Sequence, residues 1–170
     1  MAVYPTLIEL IERTRRFHKQ VALKVPRVGK PGYEEATFAE LAAWSKTLAA
    51  ALQARGVKPG DKVALIAKPR LEWAIGLHAV LRAGAVAVPI DAALTPPEAA
   101  RLLRAAEVRW VLAAGDWVEA LAALPDLKET APSVEQLVSF DHLDLDGVLT
   151  DGEMTAHPGR PQRGARNPPS

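Results

Sequence analysis

The sequence predicts an α/β fold of three layers, with a mainly parallel sheet and a β-hairpin at its edge. Three observations carry this. From residue 63 onward, short apolar runs alternate with stretches of helical period, which is the βαβ signature of a parallel sheet with right-handed crossovers. Before residue 63, two β-like runs flank a cluster of turn-formers, Gly29-Lys30-Pro31-Gly32, as in a hairpin. Finally, Leu81-Arg82-Ala83-Gly84-Ala85-Val86-Ala87-Val88-Pro89-Ile90-Asp91 ends a helix, turns on one glycine and enters a strand at once.

Thr6 and Glu9 form a capping box that opens the first helix. Leu7, Ile8, Leu10, Ile11 and Phe17 supply its apolar stripe. Arg13, Arg15, Arg16 and Lys19 crowd its last turns, where positive charge suits the helix dipole. No aromatic platform interleaves these cations, so a single-stranded nucleic-acid surface is not predicted. Residues 21–25 and 33–37 form the hairpin. Thr37 and Glu40 make a second capping box, and Phe38, Leu41, Trp44, Leu48 and Leu52 line one face of the next helix. Gly56 closes that helix and Pro59-Gly60-Asp61 turns the chain.

Strands are then expected at 63–67, 85–90 and 108–112, adjacent or nearly so, and parallel. The helix at 71–83 has Leu71, Ile75, His78 and Leu81 near one stripe. Gly84 suits the left-handed residue that closes it. The small apolar run at 85–90 reads as a strand covered on both faces, with pairing that ends or loosens at Pro89. Asp91 emerges at the strand's carboxyl end, where open α/β sheets bind ligands. Thr95-Pro96-Pro97-Glu98 is a helix start, with a cap, proline at the first helical position and glutamate at the third. Asp116 and Glu119 cap a further helix that Pro125 ends, and 134–140 is a fourth strand. Trp44, Trp73, Trp110 and Trp117 read as core or core-edge packing.

Composition narrows the function. The chain has 170 residues, 49% apolar and 24% charged, with a net charge of +1, which is ordinary globular composition without a field for nucleic acid or acidic lipid. It has no cysteine, which excludes disulfides, thiolate metal sites and a cysteine nucleophile. No apolar run approaches the ~20 residues of a membrane helix, and no signal peptide is apparent. These features predict a cytoplasmic protein with no nucleic-acid or membrane partner.

Candidate sites are few. Residues 142–153 fit a calcium loop from its third position: Asp144, Asp146, Gly147, an aliphatic Leu149 and Glu153. His142 at the first position is a poor calcium ligand, and a strand rather than a helix precedes it, so a polar surface loop is the preferred reading. His18, His78, His142 and His157 lack metal-pair spacing, and His78 reads as a packed histidine. Neither a G-x-S-x-G nor a G-x-G-x-x-G motif is present.

The stretch from Leu81 to Asp91 resembles the "L-K-A-G-x-x-x-V-P-[IL]-D" motif of the adenylate-forming enzymes, the superfamily of acyl-CoA synthetases, firefly-type luciferases and peptide-synthetase adenylation domains. Further stretches match this family in order. Ala36-Thr37-Phe38-Ala39-Glu40-Leu41 resembles "[LF]-[ST]-[YF]-x-E-L". Gly56-Val57-Lys58-Pro59-Gly60-Asp61-Lys62-Val63-Ala64 resembles "G-[VL]-x-x-G-D-x-V-A". Arg70-Leu71-Glu72-Trp73 and Leu94-Thr95-Pro96-Pro97-Glu98 resemble "R-P-E-W" and "L-T-P-x-E" of the long-chain fatty acyl-CoA synthetases, the type to which the chain is most similar.

The resemblance implies a two-step reaction. A carboxylate attacks the α-phosphate of ATP with magnesium, giving an acyl-adenylate and pyrophosphate, and coenzyme A then displaces AMP. The family's glycine-rich phosphate loop falls just after residue 150. There, Gly159, Arg160, Pro161, Arg163 and Gly164 form a degraded remnant of it, lacking the early glycine and the hydroxyl residues. The expectation is therefore a truncated N-terminal subdomain at 1–150 and a disordered Pro/Gly/Arg-rich tail at 151–170. No catalytic residue and no metal ligand of the family carries over, and no cofactor is expected for this chain, whereas the full-length family uses ATP, magnesium and CoA. Three functions stay open: a synthetase fragment inactive alone, an interaction or dimerisation module that forms a homo-oligomer, and half of a split ligase completed by a complementary C-terminal chain.

Overall fold

The structure, a computed structural model, describes residues 6–27 and 29–143. Helix α1 (Leu7–Arg13) runs into a 3-10 turn (Thr14–Phe17). The hairpin β1 (Val21–Pro26) and β2 (Tyr33–Thr37) leads into α2 (Phe38–Ala54). Then follow β3 (Lys62–Ile66), α3 (Leu71–Arg82), β4 (Val86–Ile90), α4 (Pro96–Ala105) and β5 (Trp110–Ala113). Helices α5 (Gly115–Ala122) and α6 (Leu127–Thr130) precede β6 (Gln136–Ser139) and a 3-10 turn (Phe140–His142). Both capping boxes form: Glu9 and Glu40 accept the backbone N–H of Thr6 and Thr37. The short α6 has no counterpart in the sequence reading.

The four later strands make one parallel sheet in the order β4-β3-β5-β6. Val63 pairs with Ala87 on one side and Trp110 on the other, so the three expected strands are adjacent and parallel. Alternation along each strand sorts the core onto two faces. Val63, Leu65, Trp110 and Leu112 meet α2 and α3, while Ala64, Ile66, Val111 and Ala113 meet α4 and α5. The connection β3–α3–β4 therefore runs over one face and β4–α4–β5 returns over the other.

Several expectations are corrected. The hairpin forms, but as a separate two-stranded sheet. Its apolar residues Ala22, Leu23, Val25 and Ala36 pack into the cluster built around α2 and α3, so it adds to the helical layer and not to the sheet edge. Strand β4 is not covered on both faces. It is an edge strand, and Val86 is 48% exposed. Pairing does not end at Pro89 but continues in register through Pro89↔Leu65 to Ile90↔Ile66. The Val86 N–H donates to the Asp61 carbonyl. By alternation, position 89 turns its missing N–H to the outer rim, where it breaks no bond.

Helix α3 buries Leu71, Glu72, Ile75, Gly76, Ala79 and Val80, so its inward stripe includes a glutamate and a glycine where His78 and Leu81 were expected. Helix α1 buries nothing, and Leu7 is 61% exposed beside the exposed Ile8 and Leu10. It is held instead by Glu12, which pairs with Arg82 of α3, and by the Phe17 ring against Phe38. Gly84 closes α3 at φ 75°, as expected, and its carbonyl accepts the Gly60 N–H. The expected boundary near 150 and the tail at 151–170 lie outside the described residues.

Candidate functional site

The sheet has one topological switch. The chain leaves β3 toward one face through α3, and leaves the neighbouring β5 toward the other through α5. In open α/β sheets this divergence opens a crevice at the carboxyl ends of the strands. Here it is filled from within. Phe140, fully buried, brings its ring against Gly76 of α3: a Cβ on Gly76 would lie 3.0 Å from Phe140 Cε1 and 3.2 Å from Leu65 Cδ2 of β3. Asp141, the next residue, reaches both diverging loops. Its Oδ1 lies 2.7 Å from Arg70 Nη2 after β3. Its Oδ2 accepts the Gly115 N–H at 2.8 Å, at the first turn of α5. The Asp141 N–H donates to Ser139 Oγ.

Arg70 is buried, and its Nε donates to Glu72 Oε2 at 2.9 Å. Glu72 is 1% exposed, so the pair is a true interior ion pair. Burial alone would lower the guanidinium's pKa, but the hydrogen bonds and charges of Glu72 and then Asp141 outweigh it, and the net shift is upward. Arg70 is thus a fixed cation, committed in two directions. Removing one member of such a buried pair typically costs about 3–5 kcal/mol, because the partner's charge is left uncompensated.

One strand over, the surface stays open. A cavity of about 560 Å³ lies between the loop after β3 (Ala67, Lys68, Pro69), Trp73 of α3 and the end of β4 (Ile90, Asp91). Its walls are mostly apolar, with Lys68 and Asp91 as exposed charges. Asp91 Oδ1 accepts the Ala93 N–H at 2.9 Å, which holds the turn out of β4. Asp91 therefore stands at the carboxyl end of its strand as expected, and the open mouth lies at β3/β4 because Phe140 and Asp141 occupy the switch point.

At the opposite, amino end of the sheet, Arg109 makes a two-pronged pair with Glu135, at 2.8 and 2.7 Å, and reaches Asp61 Oδ1 at 2.7 Å. This ties the starts of β3, β5 and β6 together. His78 is half-buried and its Nδ1 has no hydrogen-bond partner. Burial, then the nearby Arg82 charge, lowers its pKa, so it is neutral at pH 7. It lies within α3 at the edge of the core, half-buried and off the inward stripe. Among the described residues no group of three His, Asp or Glu side chains is placed to hold a metal. No helix among them is long and apolar enough to cross a membrane.

Gly159, Arg160, Pro161, Arg163 and Gly164 lie outside the described residues, as does the calcium-loop-like stretch after Leu143. His142, its first position, sits in a 3-10 turn directly after β6. The sequence reading missed Glu72 and Asp141 as partners of Arg70. Two glycines signalled them. Gly76 sits inside a helix and Gly115 at the start of one, and an unforced helical glycine commonly marks a close approach. Here a Cβ at Gly115 would collide with Asp141 Oδ2.

The chain belongs to the AMP-binding enzyme family, whose model matches residues 10–169 and so runs through the stretch at 155–164. Fatty acid–[acyl-carrier-protein] ligase ScoC of Streptomyces coeruleorubidus is 31% identical over 125 residues, 72% of this chain and 24% of that protein. Phenyloxazoline synthase MbtB of Mycobacterium sp. (strain MCS) is 41% identical over 80 residues, 47% of this chain and 7% of that protein. The crystal structure of the anthranilate CoA ligase AuaEII in complex with anthranoyl-AMP shares the fold, with a TM-score of 0.69 at 23% identity over 83% of this chain and 27% of that one. The chain thus spans about a quarter or less of the length of these relatives, which are named for different products and acids: a phenyloxazoline, a fatty acid and anthranilate.

Proposed function

We propose that the chain serves the activation of a carboxylic acid by adenylation, and that it supplies the supporting wall of the site rather than its reacting groups. The observation that carries this is the distribution of charge at the carboxyl ends of the strands. Arg70 and Asp141 are spent on each other and on Glu72 and Gly115. The open mouth beside Asp91 is mostly apolar, with Lys68 and Asp91 as its charges, and carries no three-ligand metal cluster among the described residues. Such a wall can hold an apolar body. Adenylation also needs cationic and metal stabilisation of the leaving pyrophosphate. The family uses ATP and magnesium for this, with CoA or a carrier protein as acceptor. A cytoplasmic setting, where ATP is plentiful and cysteine is not needed for disulfides, fits this role.

For the acid we propose a long-chain fatty acid. The support is the match over 125 residues to a fatty acid ligase, together with Arg70-Leu71-Glu72-Trp73 and Leu94-Thr95-Pro96-Pro97-Glu98. The test is ATP–pyrophosphate exchange with fatty, aryl and amino acids. We expect none from the 170-residue chain alone, and exchange with fatty acids when the remaining segments of a fatty-acid ligase are added in trans. Exchange by the chain alone refutes this division of labour, and selective exchange with amino acids refutes the choice of acid.

A second reading, self-association, is favoured by α1, whose Leu7, Ile8 and Leu10 form a run of exposed apolar side chains. Exposed apolar patches of this kind favour pairing when they exceed a few hundred Å². Light scattering at micromolar concentration should give a dimer or larger species that Leu10→Glu dissociates. A monomeric parent chain removes this reading.

A further inference from the structure

The structure assigns Arg70 and Asp141 as positioning residues that close the switch-point crevice with the chain's own carboxylate and fasten the exit of β6 to the loop after β3. In folds of this kind the first turn of a helix after a strand is where an external anion sits, because its free N–H groups and dipole face the crevice. Here that place, at Gly115 of α5, is taken by Asp141 Oδ2, and the cation that would complete an anion site, Arg70, holds Oδ1. Burial and packing show that the arrangement is built rather than incidental. Arg70 is buried against Glu72, Phe140 beside Asp141 is buried, and each of the two glycines opposite the dipeptide lacks the Cβ that would obstruct it.

The functional consequence follows from the position of Arg70 in sequence. Pro69 and Lys68, immediately before it, and Trp73, immediately after Glu72, line the open mouth beside Asp91. The Arg70–Asp141 pair therefore fastens the exit of β6 to the same loop that walls the cavity. Any ligand in that mouth is met by a loop whose seat is set by this pair. The assignment concerns placement, not the chemistry of the ligand, so it stands or falls separately from the adenylation reading.

Hydrogen exchange on the 170-residue chain tests it. Asp141 is half exposed on its side chain, so Asp141→Ala leaves the core intact, whereas Arg70→Met would strand the buried Glu72. In Asp141→Ala, exchange over 115–118 and 136–143 should rise about ten- to hundredfold, the worth of one charge-assisted hydrogen bond, while 63–66 stays as slow as in the parent. Asp141→Asn keeps an acceptor for the Gly115 N–H and should fall between the two. Added acetate should slow exchange over 115–118 in Asp141→Ala and leave the parent unchanged. Equal exchange in all three proteins overturns the assignment. So does a rise spread evenly over every strand, which marks a general stability role, and so does acetate that slows parent and variant alike or neither.

Discussion

Replacing Gly76 by alanine sets two effects of opposite sign against each other. In a helix interior, alanine is favoured over glycine by about 0.8–1.0 kcal/mol. Gly76 is interior to α3, so the bare expectation is stabilisation. The structure argues otherwise. A Cβ there would lie 3.0 Å from Phe140 Cε1 and 3.2 Å from Leu65 Cδ2. Neither neighbour can retreat easily, because both are almost fully buried and Arg70 stacks at 5.9 Å from the Phe140 ring. Overpacking a closed core costs typically ~1–3 kcal/mol. The net effect is a loss of about 1 kcal/mol, within a range from ~0 to ~2. For a chain of this size that lowers Tm by roughly 2–4 °C. Phe140→Leu removes the ring edge and opens space into which Leu65 can shift, so Gly76→Ala in that background should recover the ordinary gain of about 1 kcal/mol. The assay is urea unfolding of the four proteins, followed by tryptophan fluorescence and circular dichroism together, so that coincident transitions license a two-state fit. The sign of the Gly76→Ala effect should invert between the two backgrounds. A gain of about 1 kcal/mol in the parent background would show that α3 and Phe140 do not approach this closely.

Two further outcomes follow from the same geometry. Gly115→Ala should lose about 1.5–3 kcal/mol, because its Cβ displaces the Asp141 carboxylate from a charge-assisted bond, yet it should be neutral or stabilising once Asp141 is alanine. Equal losses in both backgrounds in chemical denaturation would refute the collision. The acid limb of the stability curve should depend on Arg109. For Asp61, burial pushes the carboxyl up, but the Lys58 N–H and then Arg109 outweigh it. For Glu135, the Arg109 hydrogen bond leads, so both carboxyls titrate below their ordinary values when folded. Groups lowered in this way contribute stability that is full above the unfolded values of about 4 and is lost as pH falls through the lower folded ones. Urea midpoints of the parent and Arg109→Gln should therefore differ above about pH 4 and converge below it. Parallel curves across that range would sink the assignment.

Much of the fold was readable from the sequence because its local signals agree with its packing. The capping boxes at Thr6 and Thr37, the left-handed Gly84 and the alternation of strands with helices each point to the structure observed. The errors arose where a residue's role depends on a distant partner. An apolar run such as 85–90 reads alike whether a strand is central or at an edge, and only the crossover of α4 settles that β5 lies on the far side of β3. The apolar side chains of α1 read as a buried stripe, but α1 is fastened by the Glu12–Arg82 pair and leaves that stripe outside. At the site, Asp91 was legible from its place after a strand. The Arg70–Glu72–Asp141 cluster was not, because Asp141 lies 71 residues beyond Arg70 and they meet only through the parallel order of β3, β5 and β6.

The outward proline of β4 makes the two rims of the sheet unlike. A strand approaching that rim would find the amide of Ala87 but no donor at 89, so its ladder would fail within one repeat. Strand β6, at the other rim, has no proline and only four residues, ending at the buried Ser139. Among the described residues, then, the two rims differ in kind: the β4 rim is blunted by a missing donor, and the β6 rim only by its shortness.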